Sequence, residues 1–192
     1  MRKLDRFHEN PFDNYIIDLV DLLCPLFKKM KFTPNGITTL SLIFGVLSIY
    51  FLYYYKFTFF SICFLLSYFF DCMDGHYARK YKMISKFGDS YDHFKDWSVG
   101  ICLLFVVFTK YKINNVTILI LIISTFLFAT HMGCQEKVYE KEKDKKESAT
   151  LEIFKKLCLG NCEESIKITR FFGGGTWNIL FVFCIFFLKP NF

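Results

Sequence analysis

Between residues 71 and 96 the chain reads DCMDGHYARKYKMISKFGDSYDHFKD. Asp71, Asp74, Gly75 and Ala78 fall at i, i+3, i+4 and i+7, which is one face of a helix. Gly88, Asp92 and Asp96 fall at i, i+4 and i+8, again one face. Two antiparallel helix ends joined by a turn near Lys82–Lys86 would gather four carboxylates. Like charges that close cannot all stay ionised without a countercharge. One or two divalent cations are the simplest remedy, and oxygen-only donors suit Mg²⁺ or Mn²⁺, which in turn suit phosphate groups. Gly75 and Ala78 remove bulk from the acidic face, and Gly88 does the same on the facing helix. Arg79 follows directly and can grip phosphate oxygens bidentately.

Plainer readings exist for each residue alone. Small residues on membrane helices commonly mean close packing. Arg79, Lys80 and Lys82 suit positively charged flanks of a span. Asp89 lies off the acidic face and reads as a helix-end acid, and His93 reads as solvent-facing. Taken together, these readings leave unexplained why acids and small residues share a face on both helices.

The elements that must hold this stretch follow from composition. The 192 residues are 53% hydrophobic and 20% aromatic, with 26 Phe, and the mean hydropathy is +0.29. That excludes disorder and argues against an ordinary water-soluble fold. The length suggests one domain. Five uncharged runs stand out: Phe32–Tyr55, Phe57–Phe70, Trp97–Thr109, Ile113–Gln135 and Phe171–Leu188. A helix needs ~20 residues to cross a bilayer core. The second and third runs are too short alone, so their helices must continue into 71–96 and carry the carboxylates to the membrane boundary. Ionisable groups there usually face a cavity, a partner or a metal. The expectation is an all-α, polytopic transmembrane bundle with five spans, and six left open.

Residues 12–30 carry Ile16, Ile17, Val20, Leu23, Leu26 and Phe27 at helical spacing among Asp13, Asp18 and Asp21. This predicts an amphipathic helix, either interfacial or packed on the bundle. No signal peptide is expected, because the first strong apolar run is too long and too late. Thr33-Pro34-Asn35-Gly36 opens the first span, with Thr33 as N-cap and Pro34 at the first helical position. The first two spans form a tight hairpin around Tyr53–Phe57.

Twenty of the 24 Lys and Arg lie in 1–33, 71–96 and 134–170. By the positive-inside rule these segments face the cytoplasm. The net charge of +6 is therefore a topology signal, with affinity for anionic head groups, rather than a sign of nucleic-acid binding. The mixed run Glu136–Lys146 is expected as a solvated loop or helix end. Residues 151–170 are expected to be amphipathic rather than a clean span. With five spans the C-terminus falls on the non-cytoplasmic side. All eight cysteines are read as reduced and unpaired, since no spacing marks a metal site.

The spacing Asp71-x2-Asp74-Gly75-x2-Ala78-Arg79-x8-Gly88-x3-Asp92-x3-Asp96 resembles the full signature of the CDP-alcohol phosphatidyltransferases, with all eight fixed positions present. The motif covers 26 residues, and the likeness extends more loosely from Thr33-Pro34-Asn35 through the fourth span. The resemblance implies a helical membrane bundle that displaces CMP from a CDP-linked donor, with an alcohol as nucleophile. It implies a two-metal centre of Mg²⁺ or Mn²⁺ on Asp71, Asp74 and Asp92. Asp96 becomes both a ligand and the general base. It further implies that Gly75 and Ala78 line the nucleotide pocket, Arg79 binds the diphosphate and Gly88 keeps the facing wall open. Asn35 is a candidate to approach the nucleotide or the acids.

The expected organisation is one catalytic membrane domain over 1–192. It comprises an amphipathic segment 1–31, spans one to four in 32–135 with the motif at 71–96, a charged segment 136–170 and a last span in 171–189. Its expected place is an integral membrane with the site on the cytoplasmic side. Its partners are a CDP-linked donor, an alcohol acceptor and membrane lipid, with a homodimer left open. Ala78-Arg79-Lys80-Tyr81 looks like glycerophosphate-type members, whereas Tyr91-Asp92-His93 is similar to the aminoalcohol branch. Two pairings stay open: CDP-diacylglycerol with a small polar alcohol, and CDP-choline or CDP-ethanolamine with diacylglycerol. Lys137 and Lys141 are candidates to attract a phosphorylated acceptor. Two rival classes also remain: a catalytically silent lipid-binding relative, and an intramembrane cation-binding transport protein.

Overall fold

The computed structural model describes residues 2–143 and 150–191, with the backbone alone at 142, 143 and 150–152. About 80% of the chain is helical, in keeping with the all-α expectation. The order is α1 (Pro11–Lys29), α2 (Pro34–Tyr53), α3 (Phe57–Lys80), α4 (Lys86–Lys110), β1 (Tyr111–Lys112), α5 (Asn115–Lys143), a 3₁₀ segment (Thr150–Leu157), α6 (Cys162–Thr169), a 3₁₀ turn (Arg170–Phe172), α7 (Gly174–Phe186) and β2 (Lys189–Pro190). The chain divides into two compact units. One comprises Ile16–Asn114 and the residues from Val182 onward, and the other comprises Arg2–Tyr15 and Asn115–Phe181.

In the first unit α2 and α3 form the expected hairpin. Thr33 caps α2 by accepting a hydrogen bond from the Gly36 amide at 3.1 Å. Two short polar side chains then fasten the pair. Ser41 Oγ donates to the Ser67 carbonyl at 2.8 Å, and Ser67 Oγ donates back to the Ser41 carbonyl at 2.8 Å. These bonds need the backbones close together, which small residues permit. Gly45 extends the seam to α4: a Cβ there would lie 2.9 Å from Val99 Cγ2. Lys31, Tyr55 and Lys82 turn the chain between consecutive helices with φ of 59°, 59° and 55°, in the left-handed region. Tyr111 and Lys112 pair antiparallel with Pro190 and Lys189.

Helix α1 packs on the bundle, one of the two readings of its segment. Val20 and Cys24 pack with Ile37, Met73 and Tyr77 in a buried cluster, joined by Ile16, Leu23 and Phe27. The opposite face leaves Leu19, Leu22, Leu26 and Met30 exposed. Leu26 thus sits on the outer stripe rather than with the inward set.

The second unit overturns the reading of the cysteines. Cys134 and Cys158 form a disulfide, with Cα atoms 5.0 Å apart, so not all cysteines are free. Gly133 makes the approach possible, because a Cβ there would fall 2.0 Å from the Phe154 carbonyl oxygen. A 24-residue separation carries no pairing signal in sequence. The run from Glu136 forms the end of α5 as far as Lys143, one of the two readings given for it, but it is not wholly solvated; residues 144–146 lie outside the described residues. Glu136 and Val138 are buried. Lys137 Nζ donates to the Cys158 carbonyl at 2.6 Å, and Lys141 pairs with Glu163 at 2.5 Å. Of the lysines offered as acceptor attractors, Lys137 is thus tied to the backbone and Lys141 sits in an exposed ion pair. The last apolar run belongs to the stretch Cys162–Phe186, which is long and apolar enough to cross a membrane. Its first residues form the 3₁₀ turn, and α7 starts at Gly174.

Among the described residues four stretches are long and apolar enough to cross a membrane: Pro34–Tyr53, Phe57–Lys80, Asn115–Lys141 and Cys162–Phe186. The fifth expected span lies in α4. That helix has 25 residues and exposes an apolar stripe of Trp97, Ile101, Leu104, Phe105 and Phe108. Its first half carries Asp89, Asp92, Lys95 and Asp96, which sets its composition apart from the four.

Candidate active site

The acidic motif straddles the end of α3 and the start of α4. Ser85 caps α4 by accepting from the Gly88 amide at 3.0 Å, so the turn 81–85 returns the chain antiparallel. One carboxylate oxygen each from Asp71, Asp92 and Asp96 lie within 4.8 Å of one another. Asp71 and Asp92 are about one-third exposed, and Asp96 is 52% exposed. Asp74 does not join this trio. It is buried, and its Oδ2 accepts from the Thr38 hydroxyl of α2 at 2.6 Å.

A residue that sequence reasoning missed occupies the middle. Lys95 is 2% exposed. Its Nζ bonds Asp71 Oδ1 and lies 2.8 Å from Asp96 Oδ1 and 3.1 Å from Asp92 Oδ1. Ser41 Oγ is a fourth neighbour, at 3.4 Å. The signal was present in sequence: Lys95 is three residues after Asp92, the spacing at which a long side chain folds back on the same helix face.

The small residues let neighbouring polar side chains lie close against the helices. A Cβ on Gly75 would meet Arg79 Nη1 at 3.2 Å, so the guanidinium lies over the glycine. A Cβ on Gly88 would meet Asn35 Oδ1 at 3.0 Å, which places Asn35 of α2 against the α4 wall. Ala78 is half-buried one turn beyond Gly75. Thr39 and Tyr91 share a hydrogen bond at 3.1 Å, closing α2 onto α4 beside this wall. His93 is half-buried, 3.6 Å from Asp89.

A second polar junction steadies α3 from outside. Asp21 of α1 accepts from His76 Nε2 at 2.8 Å and from Lys80 Nζ at 2.7 Å. Burial alone would raise the Asp21 pKa, but the hydrogen bonds from Lys80 and His76 outweigh it and lower the pKa to about 2.

The donor set fits a hard divalent cation. It offers oxygen ligands only, from two helices, with one oxygen of each acid converging on a common point. Four apolar helices mark a membrane protein, and the acids lie on and beside one of them.

The profile of the family described as CDP-alcohol phosphatidyltransferase matches residues 31–172. No curated protein and no solved structure matches the chain. The matched stretch covers most of the sequence and includes all eight motif positions. These are transferases of phosphate-linked groups in phospholipid synthesis, acting on CDP-alcohols and alcohols in lipid membranes with divalent metal. The chain belongs to the CDP-alcohol phosphatidyltransferase family.

Proposed function

We propose that the chain transfers a phosphate-linked group from a CDP-linked donor to an alcohol and releases CMP, as a single catalytic membrane domain with its site facing the cytoplasm. The observation that carries this reading is the meeting of Asp71, Asp92 and Asp96 on two helices whose glycines, Gly75 and Gly88, let Arg79 and Asn35 lie close against the backbone. Asp71, Asp92 and Asp96 are the residues to hold Mg²⁺ or Mn²⁺, with Asp74 close behind on the same helix. Bound there, the divalent metal would neutralise charge on the diphosphate and on the departing CMP.

The chain's own groups supply the rest. Arg79 holds diphosphate oxygens with its fork of donors. Gly75, Ala78 and Gly88 leave width for the nucleotide, and Asn35 borders that space. Asp96 is the most exposed of the trio and takes the proton of the acceptor hydroxyl. The hydroxyl oxygen then bonds to the phosphorus that bears the donor's alcohol. The bridging P–O bond to the cytidylate breaks, and its electron pair leaves with CMP. Holding the reactants in line supplies much of the acceleration. The membrane boundary suits this chemistry, since a lipid enters sideways and CMP departs into water.

The test is CMP release by purified Asp92→Asn and Asp96→Asn with Mn²⁺ and CDP-linked donors. Both should lose release while inserting normally into membranes. Turnover at the wild-type rate in either would remove this mechanism. A transport protein or a silent relative would release no CMP even as wild type.

A further inference from the structure

We infer that Cys134, Cys158 and Cys162 form a thiol–disulfide exchange site, in which Cys162 passes the bond between the buried Cys134–Cys158 pair and a small external thiol of the glutathione kind. The inference concerns the second unit alone and does not rest on the transfer reading. Burial carries its first part. Cys134 is 0% exposed and Cys158 2%, which denies an external thiol direct approach to either sulfur. Cys162 is a free thiol and only half-buried. It packs against the apolar cluster of Leu4, Cys134, Val138, Cys158 and Ile166 that contains the bond. The same side chain thus reaches both the disulfide's surroundings and solvent. Three residues, Leu159-Gly160-Asn161, separate it from Cys158, and Gly160 bends this link in the left-handed region with φ of 69°.

The surrounding fold suits a bond that opens and closes. Lys137 Nζ donates to the Cys158 carbonyl at 2.6 Å, and Lys155 Nζ donates to Glu140 Oε1 at 2.6 Å. With the close approach of Phe154 to Gly133, these contacts keep the two segments in register without the sulfur bond. The positive-inside rule puts 134–170 on the cytoplasmic side. A disulfide there meets a reducing thiol pool and is as a rule transient and redox-active. The exchange balances in three displacements. The Cys162 thiolate attacks Cys158 Sγ, the Cys158–Cys162 bond forms, and Cys134 leaves as a thiolate that takes a proton. A glutathione thiolate attacks Cys162 Sγ, and Cys158 leaves in the same way. A second glutathione displaces Cys162 from the mixed disulfide. Two glutathiones are oxidised to one disulfide, Cys134 and Cys158 are reduced to thiols, and Cys162 is restored.

The experiment treats purified full-length protein with reduced glutathione, alkylates samples at intervals and reads each cysteine by peptide mass spectrometry. The wild type should lose the Cys134–Cys158 bond by way of a glutathione adduct on Cys162. In Cys162→Ser the same bond should open more slowly, by about tenfold or more. Cys134→Ser, treated with oxidised glutathione, should carry a Cys158–Cys162 bond. Opening of Cys162→Ser at the wild-type rate would overturn the inference. So would Cys158 and Cys162 both left as thiols in oxidised Cys134→Ser, or a wild type in which Cys134 and Cys158 stay thiols under oxidised glutathione. If Cys162→Ser fails to fold, Cys162→Ala replaces it, and the Cys134→Ser arm decides by itself.

Discussion

Two polar regions of this molecule are built on opposite rules. In the second unit Asn10 Nδ2 donates to the Arg170 carbonyl at 2.6 Å and to Thr176 Oγ1 at 2.8 Å, while its Oδ1 accepts from the Phe12 amide at 2.9 Å. Gln135 Nε2 donates to Glu9 at 2.9 Å, and Arg2 donates to Asn14 at 2.6 Å. In these contacts donors meet acceptors, as a structural network should. In the first unit three carboxylates crowd a single ammonium. A site that only held helices together would not gather like charges, which raise its folding cost. Carboxylates crowded in this way mark the region kept for a ligand rather than for stability.

Substitutions should separate the two regions cleanly. The largest effect belongs to Asp71→Asn: CMP release should fall by about a thousandfold, on the order of 4 kcal/mol in the barrier, with helicity by circular dichroism unchanged. Asn10→Ala should do the reverse. It removes the α1 cap and strands two partners, so thermal unfolding should report a loss of about 2–3 kcal/mol, while CMP release per folded molecule stays at the wild-type level.

The Asp21 junction should show in the pH dependence of stability. Its folded pKa of about 2 lies below the ordinary carboxylate value of about 4. The stabilisation is therefore complete above pH ~4 and is lost as pH falls toward 2. Asp21→Asn should flatten the unfolding profile across that window and leave it parallel to wild type at neutral pH. The smallest effect is expected at Lys31, whose φ is 59°. Lys31→Gly should raise stability by up to about 1 kcal/mol in the same unfolding assay, since glycine adopts this conformation without a Cβ penalty.

The hairpin of α2 and α3 was legible because an uncharged run, a Thr-Pro opening and a short polar break each signal locally. The acid pattern was legible because helical periodicity puts Asp71 and Asp74, and Asp92 and Asp96, on common faces. What periodicity could not supply was which neighbour each side chain meets. Thr38 takes Asp74 out of the trio from another helix, and Lys95 supplies the countercharge that sequence reading assigned to metal alone. The Cys134–Cys158 bond was hidden for the same reason, because Gly133 permits a contact 24 residues away that no local rule encodes. The burial of the helix at Glu136 was hidden by its charges, which read as solvated until Lys3 and neighbouring backbone are seen around them.

The most direct measurement is CMP formation by the wild-type chain in lipid micelles. It uses CDP-diacylglycerol with each small polar alcohol, and CDP-choline and CDP-ethanolamine with diacylglycerol, each with Mn²⁺ and with a chelator. The account predicts CMP from one donor class with Mn²⁺ and none with the chelator. CMP release that persists undiminished in the chelator, or none from any donor with metal present, would contradict it.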